Sequence, residues 1–388
     1  MDWDVIIIGA GASGLMSALE AGRRGRKVAL LDHNAKPGAK IRVSGGGRCN
    51  FSNRFMDASN YISQNPDFCR SALKRFTPDD FISLLRQYRI PYEEREEGQL
   101  FCKTDAGAVT DMLAKECRAN HVTFMMNQPI VSVGQSVCFK VRTRQHTLHA
   151  ASLIVATGGL SWPRLGASDL GYRLARQFRL NIIDTRPALT PLWMDRQQSW
   201  AYCNLSGISF KAQVSCGKKR VEGHVLFTHH GLSGPAILQI SNFWNHGNPL
   251  IINVLPGQNL RQLIRDCGRK RITLMSLLSA HLPKRFLKTL LEPGILNTPV
   301  SDISVRRAAE LDERLRCWTV YPQSAAGYRY AEVTLGGVDT RELSSRTMEC
   351  RSVPGLYFTG EVLDVTGRLG GYNLHWAWAS GFTAGQYA

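Results

Sequence analysis

The 388-residue sequence predicts an α/β fold: a nucleotide-binding domain made from both ends of the chain, interrupted by an inserted β-rich lobe and a small helical lobe. Three observations predict it. A short apolar run at the N-terminus enters Gly9-Ala10-Gly11-Ala12-Ser13-Gly14, and a second ends in Ala156-Thr157-Gly158-Gly159. A third, Leu356–Thr359, ends in Gly360-Glu361. The nucleotide domain is therefore expected over 1–189 and 346–388, the β-rich lobe over 190–255 and 320–345, and the helical lobe over 256–319.

Asp4–Ile8 reads as a buried strand rich in β-branched residues. Gly9–Gly14 is a turn, and Ala12 to about Arg24 a helix with small residues facing the sheet. Lys27–Leu31 is the next strand, closing a βαβ unit within about thirty residues. Phe81, Leu84 and Leu85 predict an amphipathic helix from Thr77 to Gln87, with Thr77 as N-cap before Pro78. Ala108–Arg118 is a further helix; Val122–Met126, Ile130–Val133, Val137–Arg142 and Leu153–Ala156 are strands. Beyond Pro187, alternating segments broken by Gly, Asn and Pro indicate β-structure. Residues 256–320 are helical in pattern, through Leu260, Leu263 and Ile264, then Leu274, Leu277 and Leu278, then Phe286, Leu287, Leu290 and Leu291. This stretch holds twelve Lys/Arg against six Asp/Glu, which makes it the most basic lobe and the expected RNA-facing surface if the partner is RNA.

Composition narrows the function classes. A hydrophobic content of 44% with 20% charged residues is that of a globular chain. No apolar run reaches 18 residues, and Val5–Ile8 is too short for a signal sequence, so a cytoplasmic protein is expected. The ten cysteines form no CxxC and no zinc-ligand spacing, which points to reduced thiols and away from a metal site or a dithiol flavoprotein reductase. The net charge of +17 creates a field that attracts polyanions. Its sources recur along the chain, among them Arg23, Arg24, Arg26 and Lys27, then Lys218, Lys219 and Arg220, then Arg269, Lys270 and Arg271.

The Gly9–Gly14 motif follows a strand and opens a helix, the context a dinucleotide fingerprint requires. Gly9 permits the tight turn, Gly11 the approach of a pyrophosphate, and Gly14 close helix–strand packing. Asp32, eighteen residues beyond Gly14, fits the acid that accepts from ribose hydroxyls and argues against a 2′-phosphate. Three segments favour FAD. Lys36–Asn50 carries Gly45, Gly46 and Gly47, able to wrap a pyrophosphate and ribityl chain, with Lys40 and Arg48 to offset charge. Thr157-Gly158 is a crossover turn of the type found in FAD proteins. Gly360-Glu361 would set a carboxylate at the ribityl chain, and the helix after Gly371-Tyr372-Asn373-Leu374 would aim its N-terminus at the flavin ring. The cofactor-binding set expected is Gly9, Gly11, Ala12, Ser13, Gly14, Asp32, His33, Lys40, Gly45, Gly46, Gly47, Arg48, Cys49, Asn50, Ile130, Thr157, Gly158, Gly360, Glu361, Asp364, Gly371, Tyr372, Asn373 and Leu374. No second GxGxxG with a βαβ context exists, so NAD(P)H is expected as a transient electron donor.

GAGASG, SGGGRCNFSN (Ser44–Asn53), LFTHHGLSGPA (Leu226–Ala236), AEVTLGGV (Ala331–Val338) and GEVLDVTGRLGGYN (Gly360–Asn373) together resemble the BaiN/RdsA family of bacterial flavoproteins, from end to end. The resemblance implies a Rossmann-like FAD-binding domain with an inserted β-barrel-like lobe and a small helical lobe. It also implies NAD(P)H-driven reduction, either of a uridine in large-subunit (23S) ribosomal RNA to dihydrouridine or of an enone-type small molecule. An amine oxidase on the same scaffold, and a flavin-dependent binding or assembly factor, remain as alternatives. The chemistry expected is hydride delivery to a conjugated C=C–C=O unit and protonation of the neighbouring carbon. Cys49, His229 and Tyr372 are the candidate acids, each with a packing or structural role as the competing explanation. Trp376 and Trp378 are expected in the core or packed on the ring, not as base-stacking platforms.

Overall fold

The computed structural model describes residues 2–195, 204–268 and 271–388. Cys203, Arg269 and Lys270 lie outside the described residues. The chain divides into two units, 1–187 with 332–388, and 188–331.

In the first unit five strands run parallel in the order Thr123–Met125, Val28–Leu31, Trp3–Ile8, Thr147–Val155, Leu356–Phe358. The strands are almost wholly apolar where they meet, and Val5 to Ile7, Val28 to Leu31 and Leu153 to Val155 are fully buried, as a sheet covered on both faces demands. Thr147–Val155 continues backward into an antiparallel meander with Phe139–Thr143 and Ile130–Gln135. The helix Ala12–Arg23 is buried from Ser13 to Gly22. Its C-terminal counterpart, Tyr372–Gly385, lies so close that a Cβ on Gly381 would stand 2.4 Å from Ser13 O, and one on Gly385 2.6 Å from Ser17 O. Small residues at the crossing thus join the two ends of the chain. Trp376 and Trp378 are buried, and their indole N–H groups donate to Gly360 O (3.1 Å) and Phe51 O (3.0 Å). The helix Pro78–Gln87 starts at Thr77, which forms a capping box with Asp80.

The second unit is an antiparallel sheet in the order Trp318–Val320, Leu250–Asn253, Ser209–Cys216, Lys219–Phe227, Gly231–Ser233, Leu192–Trp193, Ser324–Ala325. Its two edge strands are consecutive in the chain, with only 321–323 between them, so the sheet curls toward closure. The helices Leu260–Cys267, Leu274–Leu278, Lys284–Leu290 and Val305–Arg316 do not form a core of their own, contrary to a separate helical lobe. Phe286 from the helices packs against Phe210 and Trp318 from the sheet, at 4.4 and 5.4 Å between ring centroids. The return to the first unit also differs from the expected residue 346. It falls at Glu332, because Val333–Val338 pairs with Ile182–Ala188 and the Asp339 N–H donates to Asn181 O (2.9 Å).

Among the described residues no helix is long and apolar enough to cross a membrane, and no group of three or more His, Cys, Asp or Glu could hold a metal ion.

Candidate functional site

Trp3–Ile8 and Thr147–Val155 are parallel neighbours from which the sheet grows in opposite directions. Such a switch point leaves a crevice at the carboxyl ends of the strands. Gly9 lines its base at φ +108°, and a Cβ there would lie 2.4 Å from Ala156 O. A Cβ on Gly14 would lie 1.8 Å from Gly9 O. Both glycines serve packing. Gly11 differs, since nothing stands within 4 Å of where its Cβ would point. Gly158, on the turn after the neighbouring strand, is equally open, as are Gly46 and Gly47 of the glycine run. These four positions bare the backbone to open space, forming a cradle that side chains would fill.

The glycine run belongs to a segment, Ala39–Gly47, that starts as a helix beside the crevice, with the Gly38 N–H donating to Ala10 O (2.8 Å). Ser44, Gly45 and Gly46 leave helical geometry, and Gly45 to Gly47 all take positive φ. Gly45 is a packing glycine, with Asn50 N and Phe101 each 2.8 Å from its Cβ position. Arg48 is exposed. Cys49 is fully buried, and a hydrogen bond with the Cys102 thiol, then burial, hold its pKa well above the ordinary thiol value. A thiol so sealed reaches neither solvent nor substrate, which removes Cys49 from the candidate acids. It also reveals a thiol pair, Cys49 and Cys102, that their separation in sequence concealed. Asn50 accepts from the Gly371 N–H (3.1 Å) and donates to Ser52 O and Leu100 O, tying the loop to the C-terminal helix.

Asp32 accepts from the N–H groups of Ala10 (2.7 Å) and Asn34 (2.8 Å). A carboxylate offers about four lone-pair sites, so capacity remains for ribose hydroxyls. The exposed His33 stands 3.5 Å from it. Lys40 is not left for phosphate. Its ammonium donates to Glu361 (2.5 Å) and Ser161 Oγ (2.6 Å). Ser161 Oγ and the Thr334 N–H both donate to the other Glu361 oxygen, at 2.8 and 2.9 Å. Thr334 Oγ1 in turn accepts from the N–H of Leu160 (2.8 Å). Glu361 thereby joins the glycine loop, the crossover turn and the strand Val333–Val338. Ser161 and Thr334 were absent from the expected set, although Thr334 lies in the AEVTLGGV motif. Glu332, in the same motif, keeps a solvent-exposed edge, yet surrounding protein raises its carboxyl pKa; Lys40 and a hydrogen bond from Trp162 oppose the rise.

At the C-terminal wall, Gly360 has φ +75° and its N–H donates to Ser380 Oγ (3.0 Å). A Cβ there would meet Ser13 Oγ at 2.6 Å, which places the buried Ser13 and its neighbour Ala12 beside this turn. Thr157 is half-buried against Gly171. Gly371, at φ +94°, starts the helix Tyr372–Gly385, whose first N–H groups have no side-chain cap. Asn373 is a brace: it accepts from the Gly367 N–H (2.8 Å) and donates to Gly367 O (2.9 Å). Leu374 is half-buried in the same turn. The Tyr372 ring is buried, and its hydroxyl makes no hydrogen bond among the described residues; burial raises its pKa. Asp364 accepts from the Gln64 N–H (2.7 Å) and burial raises its pKa, so its carboxyl is engaged in holding the 63–64 turn. Ile130 is half-buried at the start of its strand. His229 belongs to the second unit, exposed on a turn closed by the Gly231 N–H donating to Thr228 Oγ1 (3.2 Å).

The family described as the HI0933-like protein Rossmann domain matches residues 3–387. The chain belongs to this family. Its relatives include the ribosomal RNA dihydrouridine synthase of Escherichia coli (strain K12), 45% identical over 99% of this chain and 97% of that protein. The Haemophilus influenzae protein of the same name is 42% identical over 97% and 96%. The 3-dehydro-bile acid delta(4,6)-reductase of Clostridium scindens is 30% identical over 98% of both. The chain is thus an oxidoreductase of the BaiN/RdsA kind, as its motifs indicate.

Proposed function

We propose that this chain is a cytoplasmic FAD-dependent enzyme that reduces a uridine of large-subunit (23S) ribosomal RNA to dihydrouridine, with NAD(P)H as electron donor. The observation that carries the reading is the near end-to-end identity of 45% and 42% to proteins named for this reaction, against 30% to the bile-acid reductase. The charge of +17 suits a polyanionic substrate.

The cradle fits FAD. Gly11, Gly46, Gly47 and Gly158 leave room for a dinucleotide against the backbone. The N–H groups opening Ala12–Arg23 would receive its phosphates, and Asp32 its ribose. Glu361, fixed by Lys40, Ser161 and Thr334, would orient the ribityl chain. The start of Tyr372–Gly385 favours negative charge at the ring. When bound, FAD supplies a hydride for the conjugated C=C–C=O unit of the base. The chain must then unstack that base and protonate the carbon beside the one reduced. Of the three candidate acids, Tyr372 is the one on the cradle with an unengaged hydroxyl, and its raised pKa keeps the proton in place at neutral pH.

Mass spectrometry of ribosomal RNA from a deletion strain tests the reading. Loss of a dihydrouridine, restored by the wild-type gene, is expected; an unchanged dihydrouridine content sinks it. Salt-insensitive turnover of a free enone or amine without RNA would favour a small-molecule enzyme. Failure of NADH and NADPH to bleach the flavin anaerobically would favour a binding factor.

A further inference from the structure

The second unit contains a cavity of about 330 Å³ lined by Phe286, Thr289 and Leu290 of one helix, and Arg314, Cys317, Trp318 and Thr319 from the end of another and the strand it enters. Its size lies at the lower end for small-ligand sites, ~300–1,000 Å³. Phe286, Leu290 and Trp318 supply an apolar floor, whereas Thr289, Arg314, Cys317 and Thr319 are exposed at the rim. Trp318–Val320 is an edge strand, so one line of its main-chain N–H and C=O groups has no strand partner.

Charge selects the occupant. On the helix that follows, Arg306 and Arg307 are spent on Glu310, and Arg316 on Asp312. Around the cavity the balance reverses. Arg285 lies one turn before Thr289 on the same helical face, and Lys284, Lys288 and Arg314 flank it. All four are exposed and in no ion pair among the described residues. The nearby carboxylates on these elements are Glu313 and Glu292, both exposed. An aromatic floor, main-chain groups able to read a base edge and a rim of unneutralised cations make up a single-strand nucleic-acid site: bases stack, phosphates meet Lys and Arg.

We propose that this cavity holds one unpaired base of single-stranded RNA, with the flanking phosphates on Arg285 and Arg314. The inference rests on the ribosomal RNA reading and places a docking contact for that substrate outside the first unit.

Thr289→Trp fills the cavity from an exposed position, and Arg285→Glu with Arg314→Glu reverses the rim. Binding of the full-length protein to a fluorescent single-stranded decamer and to a fully paired hairpin is measured by anisotropy. Loss of one stacked base should weaken the decamer about tenfold or more in T289W, leaving the hairpin within twofold; the charge variant should weaken both. On the wild-type protein, alkylation of Cys317 by N-ethylmaleimide, read by peptide mass, should be slowed by the decamer and not by the hairpin or polyglutamate. Unchanged decamer binding by T289W, or a Cys317 rate indifferent to RNA, overturns the proposal; equal protection by polyglutamate does so too, by indicating an acidic protein partner. Dihydrouridine in the complemented deletion strain separates the two claims. Cavity effects without modification would leave the docking site standing and remove the uridine reading. Modification with normal RNA binding by T289W would do the reverse.

Discussion

At the scale of single residues, Gly11 and Gly14 sit in one turn, yet an added methyl has opposite consequences at each. Gly14→Ala forces its Cβ onto Gly9 O, 1.8 Å away, and neither backbone can yield without moving the strand end. Overpacking of this kind costs about 1–3 kcal/mol or more, read as a lowered denaturation midpoint. Gly11→Ala meets nothing within 4 Å, so the midpoint should hold while flavin affinity, measured by titration of stripped protein, falls tenfold or more. Equal loss of stability in both variants would remove the cradle. Tyr372 carries the second prediction at this scale. Tyr372→Phe keeps the ring and deletes the proton, so RNA reduction should slow by about 10²–10⁴ while NAD(P)H still bleaches the flavin at the wild-type rate. Stopped-flow measurement of the two half-reactions separates these, and an equal slowing of both would make Tyr372 a packing residue.

At the scale of elements, His375 fixes how the C-terminal helix meets the strand Asn50–Asn53. Its Nε2–H donates to Phe76 O (3.0 Å), which leaves Nδ1 to accept from Ser52 Oγ (2.9 Å). The ring is fully buried and neutral, and burial lowers its pKa to about 4. The unfolded chain titrates near ~6.5, so between these values it binds a proton that the folded protein refuses. The stability contribution is fully present above pH ~6.5 and is lost as pH falls toward about 4, some ~3 kcal/mol in all. Urea denaturation across that window should show the decline, and His375→Gln should flatten it. The elements also show what was legible. Thr77's capping box and the positive-φ glycines answer demands made by immediate neighbours, and they stand where the sequence predicts them. The Glu361 network does not, because Lys40 and Ser161 are 321 and 200 residues from it, and nothing near Lys40 distinguishes a phosphate ligand from a carboxylate ligand. The same blindness put residues 332–345 in the wrong lobe: alternation marked them as strand, but only the pairing partner, Ile182–Ala188, shows which sheet they enter.

For the whole molecule, net charge was visible in composition, whereas its usable part was not. The sequence counts Arg306, Arg307 and Arg316 equally with Arg285 and Arg314; folding neutralises the first group within its own helix. The effective contact is therefore smaller than +17 suggests, and its size is measurable. If about four phosphates are neutralised, single-strand affinity should fall with a log–log salt slope near −3, roughly fiftyfold between ~50 and ~200 mM. Removing Arg285 and Arg314 should reduce that slope by about 1.4. Turnover of a neutral enone, which releases no counterions, should change less than twofold over the same range. The two readings of the family are thereby separated by one titration: a steep slope in RNA reduction that the double variant flattens requires phosphate contacts at the second unit, and a slope near zero would return the chain to free metabolites.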